Sequence, residues 1–370
     1  MPSVDVGNVR AHARCDGAEL AATIRLGAEA HEVWFRTAQL PAPPTADPFV
    51  PIAVVPAMQH AGPVHIDGSV SPRLLRGAAR AQQTLAIWYP TFRVVGIEAP
   101  TRVPAPRPSE VAACFTGGVD SFYTLQKHRH EITHLVFVHG FDIPLARRAY
   151  RQAVSEALRG TADELGLELI EVETNLRDFT DRYGDWAQHF HGAAIAAVGL
   201  FLAPRIGTFF IPSTYAYAHL FPWGSHPGLD PRWSTESLTV VHDGCEVTRF
   251  EKVEALAGWD TALRTLRVCW QLDDDTYNCG RCRKCVWTMA CLRACGVLDR
   301  ALRFDRPFTP EALLAFPLEE PYERARFMQA LAVLEERNED RSLQEVLHAA
   351  LHGTAPSTAA AEAERALAPG

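Results

Sequence analysis

The run Cys-Phe-Thr-Gly-Gly-Val-Asp-Ser at residues 114–121 contains the residue types that bind phosphate at a strand-to-helix turn. Residues 111–115 are apolar and predict a buried strand, and helical spacing begins at Phe122. Backbone amides at such a turn, together with the helix dipole, favour an anion. Gly117 and Gly118 let the backbone approach a phosphate without an intervening Cβ.

The polar side chains of this run suit a nucleotide. Thr116 and Ser121 can donate hydroxyl hydrogen bonds to phosphate oxygens. Asp120 repels phosphate directly, so its natural partner is a bridging Mg²⁺. These residues predict a site for ATP with Mg²⁺, and the competing interpretation is an ordinary glycine-rich turn.

A second group with chemical potential is the thiol cluster Cys279, Cys282 and Cys285, spaced two residues apart. Such turns suit tetrahedral Zn²⁺, and four thiolates make a closed, structural site. Cys269, separated from Cys279 by nine residues, is the candidate for the fourth ligand. A redox pair, free thiols and an iron–sulfur cluster remain alternatives.

Cys291 and Cys295 are rival ligands for the fourth position. Residues 286–294 have the pattern of an apolar helix, in which thiols pack as small hydrophobic groups. Arg281, Arg283 and Lys284 would offset part of the charge of a four-thiolate site.

The elements that must position the turn follow a strand–helix alternation. Strands are predicted at 111–115, 134–139, 168–173 and 207–212, with helices at 122–130, 145–165 and 186–202 between them. This alternation favours a parallel sheet covered on both faces, with ligands beyond the carboxyl ends of the strands. The rim then contains residues 116–121, 139–142, 174–178 and 213–217.

The rest of the chain divides by composition. Residues 1–98 are predicted to form an N-terminal α+β domain of unknown role, with strands at 19–26, 32–36 and 92–97 and a helix at 74–86. Pro41, Pro43, Pro44, Pro48 and Pro51 indicate a loop, and 99–109 is a proline-rich linker. The site-bearing domain spans 110–308 and includes an irregular segment at 219–248. C-terminal helices follow at 309–353 and a mobile tail at 354–370.

Composition limits the partners. The net charge is −8 and the pI about 6.0, so a long nucleic acid is not expected. No apolar run approaches the ~18–20 residues that span a bilayer, and no signal-peptide pattern is present, so a cytoplasmic location is expected. Only three of 36 basic residues are lysines, Lys127, Lys252 and Lys284, which suggests that each is retained for its compact charge.

The glycine turn resembles the Ser-Gly-Gly-x-Asp-Ser PP-loop of the N-type ATP pyrophosphatase superfamily, with Thr116 in place of the first serine. With the downstream cysteines, residues 111–295 resemble 7-cyano-7-deazaguanine synthase. The resemblance implies an α/β, Rossmann-like fold of the adenine nucleotide alpha hydrolase type, followed by a zinc knuckle. It also implies adenylation of a deazaguanine carboxylate, which ammonia converts to an amide and a second ATP dehydrates to a nitrile.

Specific roles follow from this resemblance. It implies an ATP site at Thr116, Gly117, Gly118, Asp120 and Ser121, and a structural zinc on Cys269, Cys279, Cys282 and Cys285. It also makes Lys252, near Arg249, the candidate that stabilises charge on leaving pyrophosphate. A surface lysine paired with a carboxylate is the alternative for Lys252.

Two pocket elements of the family have only approximate counterparts. Val138 and His139 stand at the element after the second strand, and Ser213 and Tyr215 belong to the nearest local feature to the element that the family has after its third strand. The family's Pro-Gly-Arg-Asn-like segment has no clear match. The activation chemistry is therefore better supported than the deazaguanine substrate.

Residues 219–248 supply further substrate candidates. Arg232 can form a two-pronged hydrogen bond with a carboxylate, and Asp230 and Ser234 lie beside it. Trp223 and Trp233 can stack on a planar ring or fix the loop. Five histidines (His189, His191, His219, His226 and His242) are weaker candidates, and Asp273, Asp274 and Asp275 predict a solvated turn.

The sequence therefore predicts an ATP-dependent, AMP-forming ligase that adenylates a small carboxylate, or an amide oxygen, and transfers it to ammonia or an amine. A PP-loop sulfur-transfer enzyme acting on tRNA is an alternative, but it needs a reactive cysteine beside the loop, and Cys114 should be buried. A nucleotide-binding subunit without turnover, docked through its N-terminal domain, is another. A homodimer stays open.

Overall fold

A ten-stranded mixed sheet forms the centre of the molecule in a computed structural model that describes residues 2–14, 17–38, 45–103, 105–271 and 276–353. The strands are β1 (Val4–Arg14), β2 (Gly17–Leu26), β3 (Glu29–Thr37), β4 (Val64–Ile66), β5 (Ile97–Glu98), β6 (Glu110–Cys114), β7 (His134–His139), β8 (Glu168–Thr174), β9 (Ile206–Pro212) and β10 (Thr239–Asp243). Their spatial order is β10-β9-β6-β7-β8-β3-β2-β1-β4-β5.

Eleven α-helices are found in the described ranges. They are α1 (Val50–His60), α2 (Pro72–Trp88), α3 (Val119–Lys127), α4 (Arg148–Leu165), α5 (Leu176–Tyr183), α6 (His191–Leu202), α7 (Arg249–Leu256), α8 (Asp260–Thr265), α9 (Arg283–Ala294), α10 (Pro321–Arg337) and α11 (Arg341–His352). None of these helices has the length and apolar character to cross a membrane.

Strands β6 to β10 are all parallel and have the order of a doubly wound sheet. The chain moves outward from β6 through β7 to β8, then crosses back to β9 on the other side of β6. Connections after β6 and β9 therefore leave in opposite directions, which opens a crevice at their carboxyl ends. The predicted α/β class with a largely parallel sheet is confirmed.

Alternation along the strands explains why helices cover both faces. On β6, Ala112 and Cys114 pack toward α1, α2, α5 and α6, whereas Ala113, and Phe115 directly after the strand, pack toward α3, α4 and α7–α11. Neighbouring strands alternate in the same way, so each face has its own apolar core.

The N-terminal strands extend this sheet, because β3 pairs antiparallel with β8 at Phe35↔Thr174 and Thr37↔Val172. The sheet is thus continuous between residues 1–98 and the parallel strands. The proposed division of the chain at residues 98 and 110 stays a prediction.

Predictions for single elements had mixed outcomes. The strand at 134–139 is confirmed with the same bounds, and those at 19–26, 111–115, 168–173 and 207–212 within two residues. The strand at 92–97 is wrong, since only Ile97–Glu98 is extended there. The loop predicted around Pro48 and Pro51 is wrong, because both prolines lie in the first turn of a helix. Proline is tolerated there, since the N–H groups of a first turn form no hydrogen bond within the helix.

Residues 219–248 are not wholly irregular, because β10 lies within them and pairs with β9 along its length. The helix predicted at 186–202 begins as α6 only at His191, after a π-helical turn at Trp186–Phe190. Several features lie outside the described residues: Pro41, Pro43 and Pro44, the acidic run Asp273, Asp274 and Asp275, and the tail 354–370.

Candidate functional site

The glycine turn lies at the crevice between β6 and β9. Gly117 has a φ of +73°, which favours glycine, and its carbonyl accepts a hydrogen bond from the Arg267 amide at 2.8 Å. Gly118 is the N-cap of α3, and no side chain caps that end. The first-turn amides of α3 are thus left for another partner. A Cβ at Gly118 would lie 3.2 Å from the Thr116 hydroxyl and narrow this space.

Two cations converge on Asp120 in the first turn of α3. Arg249 Nη2 lies 2.6 Å from Oδ2, and Lys252 Nζ lies 3.2 Å from Oδ1. Lys252 also donates to the Ser213 carbonyl at 2.5 Å and has no solvent exposure. A buried lysine held in this way is a fixed positive charge next to the amides of α3.

A capping box explains why both cations come from α7. The Thr248 hydroxyl accepts from the Glu251 amide, and the Glu251 carboxylate accepts from the Thr248 amide at 2.6 Å. The helix therefore starts at Arg249, so that Arg249 and Lys252 are three positions apart and share one face.

Further charges face the same crevice from distant parts of the chain. Desolvation by the surrounding protein disfavours ionisation of Asp142, which keeps contact with solvent, but Arg267 and Lys284 outweigh this effect and hold its pKa below the usual range. Desolvation by the surrounding protein lowers the pKa of Lys284, which keeps contact with solvent and interacts with Asp142, Arg249 and Asp120. Neither Arg267 nor Asp142 had been assigned a role from the sequence, and Lys284 had been assigned only to the cysteine cluster.

Aromatic side chains form one wall of the crevice. The Tyr215 ring lies 4.9 Å from that of Tyr322 on α10 and 4.8 Å from that of Phe221, and Trp223 packs at 5.5 Å. Burial, and then Tyr322, raise the pKa of Tyr215, on which Arg249 and Asp120 also act. The structure thus places Tyr215 near Asp120 and Arg249. The role of Tyr215 in substrate binding stays a prediction.

Other candidates are engaged by the protein itself. The Ser213 hydroxyl donates to the Tyr215 carbonyl at 2.8 Å and accepts from the Cys245 thiol at 3.1 Å. Ser121 donates to the Gly118 carbonyl at 3.0 Å. His139 bonds Arg151 and Glu171 through its two ring nitrogens, at 3.0 and 3.1 Å, and Val138 is buried. Only the backbone of residues 138 and 139 is left for a ligand.

Asp230 is the centre of a buried polar cluster. Its carboxylate accepts from Ser225 Oγ at 2.7 Å, from the His226 amide at 3.3 Å and from His242 Nδ1 at 2.7 Å. Burial lowers the pKa of His242, but Asp230 and Cys245 outweigh it and raise the pKa to about 9. Burial lowers the pKa of His191, which interacts electrostatically with both Asp142 and Asp230.

Arg232 lies elsewhere. Its side chain lines a separate cavity against α2. The Ser234 hydroxyl bonds the Pro231 carbonyl and the Val240 amide, and Trp233 is buried in the core. His189 packs against Tyr89 and Phe92. The side chains of residues 230–234 therefore do not form one ligand-binding site with the glycine turn.

Four buried cysteines form a second candidate site. The sulfurs of Cys269, Cys279, Cys282 and Cys285 all lie within 4.8 Å of one another. A tetrahedron with Zn–S of about 2.3 Å has sulfurs about 3.8 Å apart. The Cys269–Cys282 and Cys279–Cys285 distances, 3.9 and 4.0 Å, agree with it. The cluster can hold a metal such as zinc.

The side chain of Asn278, which is fully buried, fixes this cluster. Its oxygen accepts from the amides of Val268 and Cys269, and its nitrogen donates to the Leu266 and Arg303 carbonyls. The rival thiols pack differently: Cys291 is buried in α9, where burial raises its pKa to about 11. Cys114 is also buried, as expected from the sequence, and burial raises its pKa to about 12.

Comparison with known proteins gives no family assignment, since no family model, curated protein or solved structure matches the chain.

Proposed function

We propose that this protein is an ATP-dependent, AMP-forming C–N ligase that adenylates a small carboxylate and transfers the acyl group to ammonia or an amine. The observation that carries the proposal is the convergence of Arg249 and the fully buried Lys252 on Asp120, beside uncapped helix amides in the crevice of a doubly wound sheet. Such crevices bind nucleotides, and helix N-termini bind their phosphates.

The charges of the crevice suit a triphosphate. Arg249, Lys252, Arg267 and Lys284 outnumber the carboxylates of Asp120 and Asp142, so an excess of positive charge faces the helix amides. Mg²⁺ would be held by Asp120, whose ionised oxygens keep lone pairs beyond those used by Arg249 and Lys252. When bound, Mg²⁺ neutralises phosphate charge.

Adenylation needs little acid–base assistance, so positioning and electrostatics carry the rate. The α3 amides, Gly117, Gly118 and the Thr116 hydroxyl hold the phosphates. Lys252, fixed by the Ser213 carbonyl, stabilises the charge that develops on leaving pyrophosphate. The aromatic wall that includes Tyr215 and Tyr322 suits a flat, heterocyclic acid, of which a deazaguanine carboxylate is one example.

Zinc on Cys269, Cys279, Cys282 and Cys285 has a structural role in this proposal, because four thiolates leave no open position. Reduced, metal-binding thiols fit a cytoplasmic location. Metal analysis of the purified protein and of Cys279→Ser tests the ligand set, with Cys295→Ser as the matched control. We expect one zinc per chain in the control and little in Cys279→Ser, and equal zinc in both would refute the set.

The activity is tested by incubation with ATP and Mg²⁺ and by quantifying AMP and pyrophosphate. Exchange of labelled pyrophosphate into ATP, measured with a panel of carboxylic acids that includes a deazaguanine carboxylate, identifies the activated acid. We expect exchange that depends on one class of acid. Release of ADP and phosphate, or nucleotide binding without turnover under every condition, would refute the ligase.

One observation favours a second candidate, a sulfur-transfer enzyme of the PP-loop type. The Cys245 thiol is 3.1 Å from Ser213 Oγ, and the Ser213 carbonyl binds Lys252, so a thiol does lie close to the crevice. Its neighbour His242 is held by Asp230, as in a Cys–His–Asp arrangement. Cys245→Ser distinguishes the candidates, because it would abolish sulfur transfer but leave acid-dependent pyrophosphate exchange intact.

A further inference from the structure

A basic cavity lies between α2 and the turn that follows Leu229. Its volume is about 190 Å³, and it is lined by four arginines that are exposed to solvent, Arg73, Arg76, Arg80 and Arg232. The three arginines of α2 are spaced three and four positions apart and therefore share one helix face. The opposite face, with Leu74, Ala78 and Leu85, is buried in the core.

Close packing at one glycine builds this cavity. A Cβ at Gly77 would lie 1.8 Å from the Arg232 carbonyl oxygen, so only glycine lets the Arg232 backbone approach α2 this closely. The contact fixes the Arg232 main chain against α2. Backbone packing thus places Arg232 at the same cavity as the arginines of α2.

The positive charge is not neutralised by the protein. The Arg76, Arg80 and Arg232 guanidiniums form no hydrogen bond or ion pair within the described residues. Arg73 donates to the Thr235 carbonyl at 3.0 Å. The nearby Glu236 carboxylate is occupied by the Ser71 hydroxyl and the Arg73 amide at the start of α2. Like charges three and four positions apart on a helix repel one another in the absence of an anion.

We propose that this cavity is a binding site for a small phosphate-bearing anion, such as orthophosphate or pyrophosphate. Guanidinium groups bind phosphate through paired hydrogen bonds, and several of them converge here in a chain whose net charge is −8. The volume is below the ~300 Å³ at which pockets for drug-sized ligands begin, which favours an inorganic anion over a whole nucleotide. The site is independent of the ligase proposal.

The test compares the wild type with Arg76→Ala/Arg80→Ala and with Arg337→Ala/Arg341→Ala. The second double variant removes the same charge from exposed positions on α10 and α11. Thermal unfolding is followed at constant ionic strength with sodium orthophosphate, pyrophosphate or chloride. Hydrogen–deuterium exchange with pyrophosphate locates the binding, because the glycine turn is a second possible anion site.

We expect saturable stabilisation of the wild type and of the control by orthophosphate or pyrophosphate but not by chloride, with protection of residues 72–88 and 230–235. In Arg76→Ala/Arg80→Ala the apparent affinity should fall at least tenfold, while stability without phosphate should stay the same or rise. Equal stabilisation of all three proteins, no stabilisation, or protection confined to residues 116–122 would overturn the proposal.

Discussion

Two aspartates that both looked like ligand-binding residues have different environments. The Asp120 side chain is 17% exposed and contacts Arg249 and Lys252 directly. The Asp230 side chain is 0% exposed, and its oxygens are occupied by Ser225, the His226 amide and His242. Asp120 can exchange its partners for a ligand, whereas the partners of Asp230 are part of the fold.

This difference shows that the type of a residue in a polar loop does not determine whether its side chain is available to bind a ligand. Burying a carboxylate without partners is costly, so a buried aspartate has partners that the protein supplies. Loss of Asp230 should therefore affect mainly stability, and loss of the groups around Asp120 should affect mainly turnover. Four measurements can sharpen or break this contrast.

The largest effect is expected for Lys252→Met. Methionine keeps most of the buried volume but removes the charge next to the proposed leaving group, so AMP formation should fall about a thousandfold, or about 4 kcal/mol of transition-state stabilisation. Single-turnover kinetics measures it. Lys127→Met is the control, because Lys127 pairs with Asp243 and Glu246 outside the crevice. Equal losses in both variants would remove Lys252 from the site.

Asp230→Asn should lower the free energy of unfolding by about 3 kcal/mol, because the buried, charged His242 loses its partner. Turnover per folded molecule should change by less than about threefold, since Asp230 contacts no proposed ligand. Urea unfolding and active-site titration measure the two quantities. Asp163→Asn, an exposed change on α4, serves as the reference. A large loss of turnover at unchanged stability would place Asp230 in the chemistry.

The pH dependence of stability gives a third test. The pKa of His242 is raised to about 9 by Asp230 and Cys245 against the effect of burial. His242 contributes fully to the free energy of unfolding below about pH 6.5, its pKa in the unfolded chain. About 2–3 kcal/mol of this contribution is lost as the pH rises toward 9. The pKa values of His191 and His226 are lowered, so both titrate below this window.

Urea unfolding of the wild type and His242→Gln at pH 6.5 and pH 8.5 measures this loss. The difference between the two proteins cancels the contribution of thiols that ionise near the upper limit. A wild-type stability that rises over this interval relative to the variant would contradict a charged His242–Asp230 pair.

The smallest effect is expected for Arg249→Lys. Lysine keeps the charge but loses the forked geometry that reaches Asp120 Oδ2, so affinity for a non-hydrolysable ATP analogue should weaken about tenfold, or about 1.4 kcal/mol. Calorimetric titration measures the affinity. Arg324→Lys on α10, where the guanidinium bonds the Leu351 carbonyl, should bind as the wild type does. Unchanged affinity in Arg249→Lys would exclude a contact between Arg249 and the nucleotide.

The sequence predicted well what short segments determine. The strand–turn–helix at residues 110–127 and the four clustered thiols were located because their signals are local: an apolar run, two glycines and fixed cysteine spacing. The capping box of helix α7, Thr248 with Glu251, is a local signal of the same kind and marks the start of that helix in the sequence.

Contacts between distant segments could not be predicted in this way. Arg267 and Tyr322 reach the crevice only because the chain folds back after β10, and no local pattern distinguishes them from surface residues. The placement of Arg232 against α2 depends on Gly77, which lies far away in sequence. Strand β10 was missed because an edge strand of five residues leaves a weak periodic signal among prolines and glycines.

The short link between Arg267 and Cys269 has a mechanical consequence. The Arg267 amide holds the carbonyl of Gly117, and the amide of Cys269, two residues on, is tied to Asn278 next to Cys279. A metal bound to the four cysteines would therefore also stabilise the glycine turn between β6 and α3. Affinity for a nucleotide and occupancy of the metal site would then increase or decrease together, although the nucleotide and the metal would not be in contact.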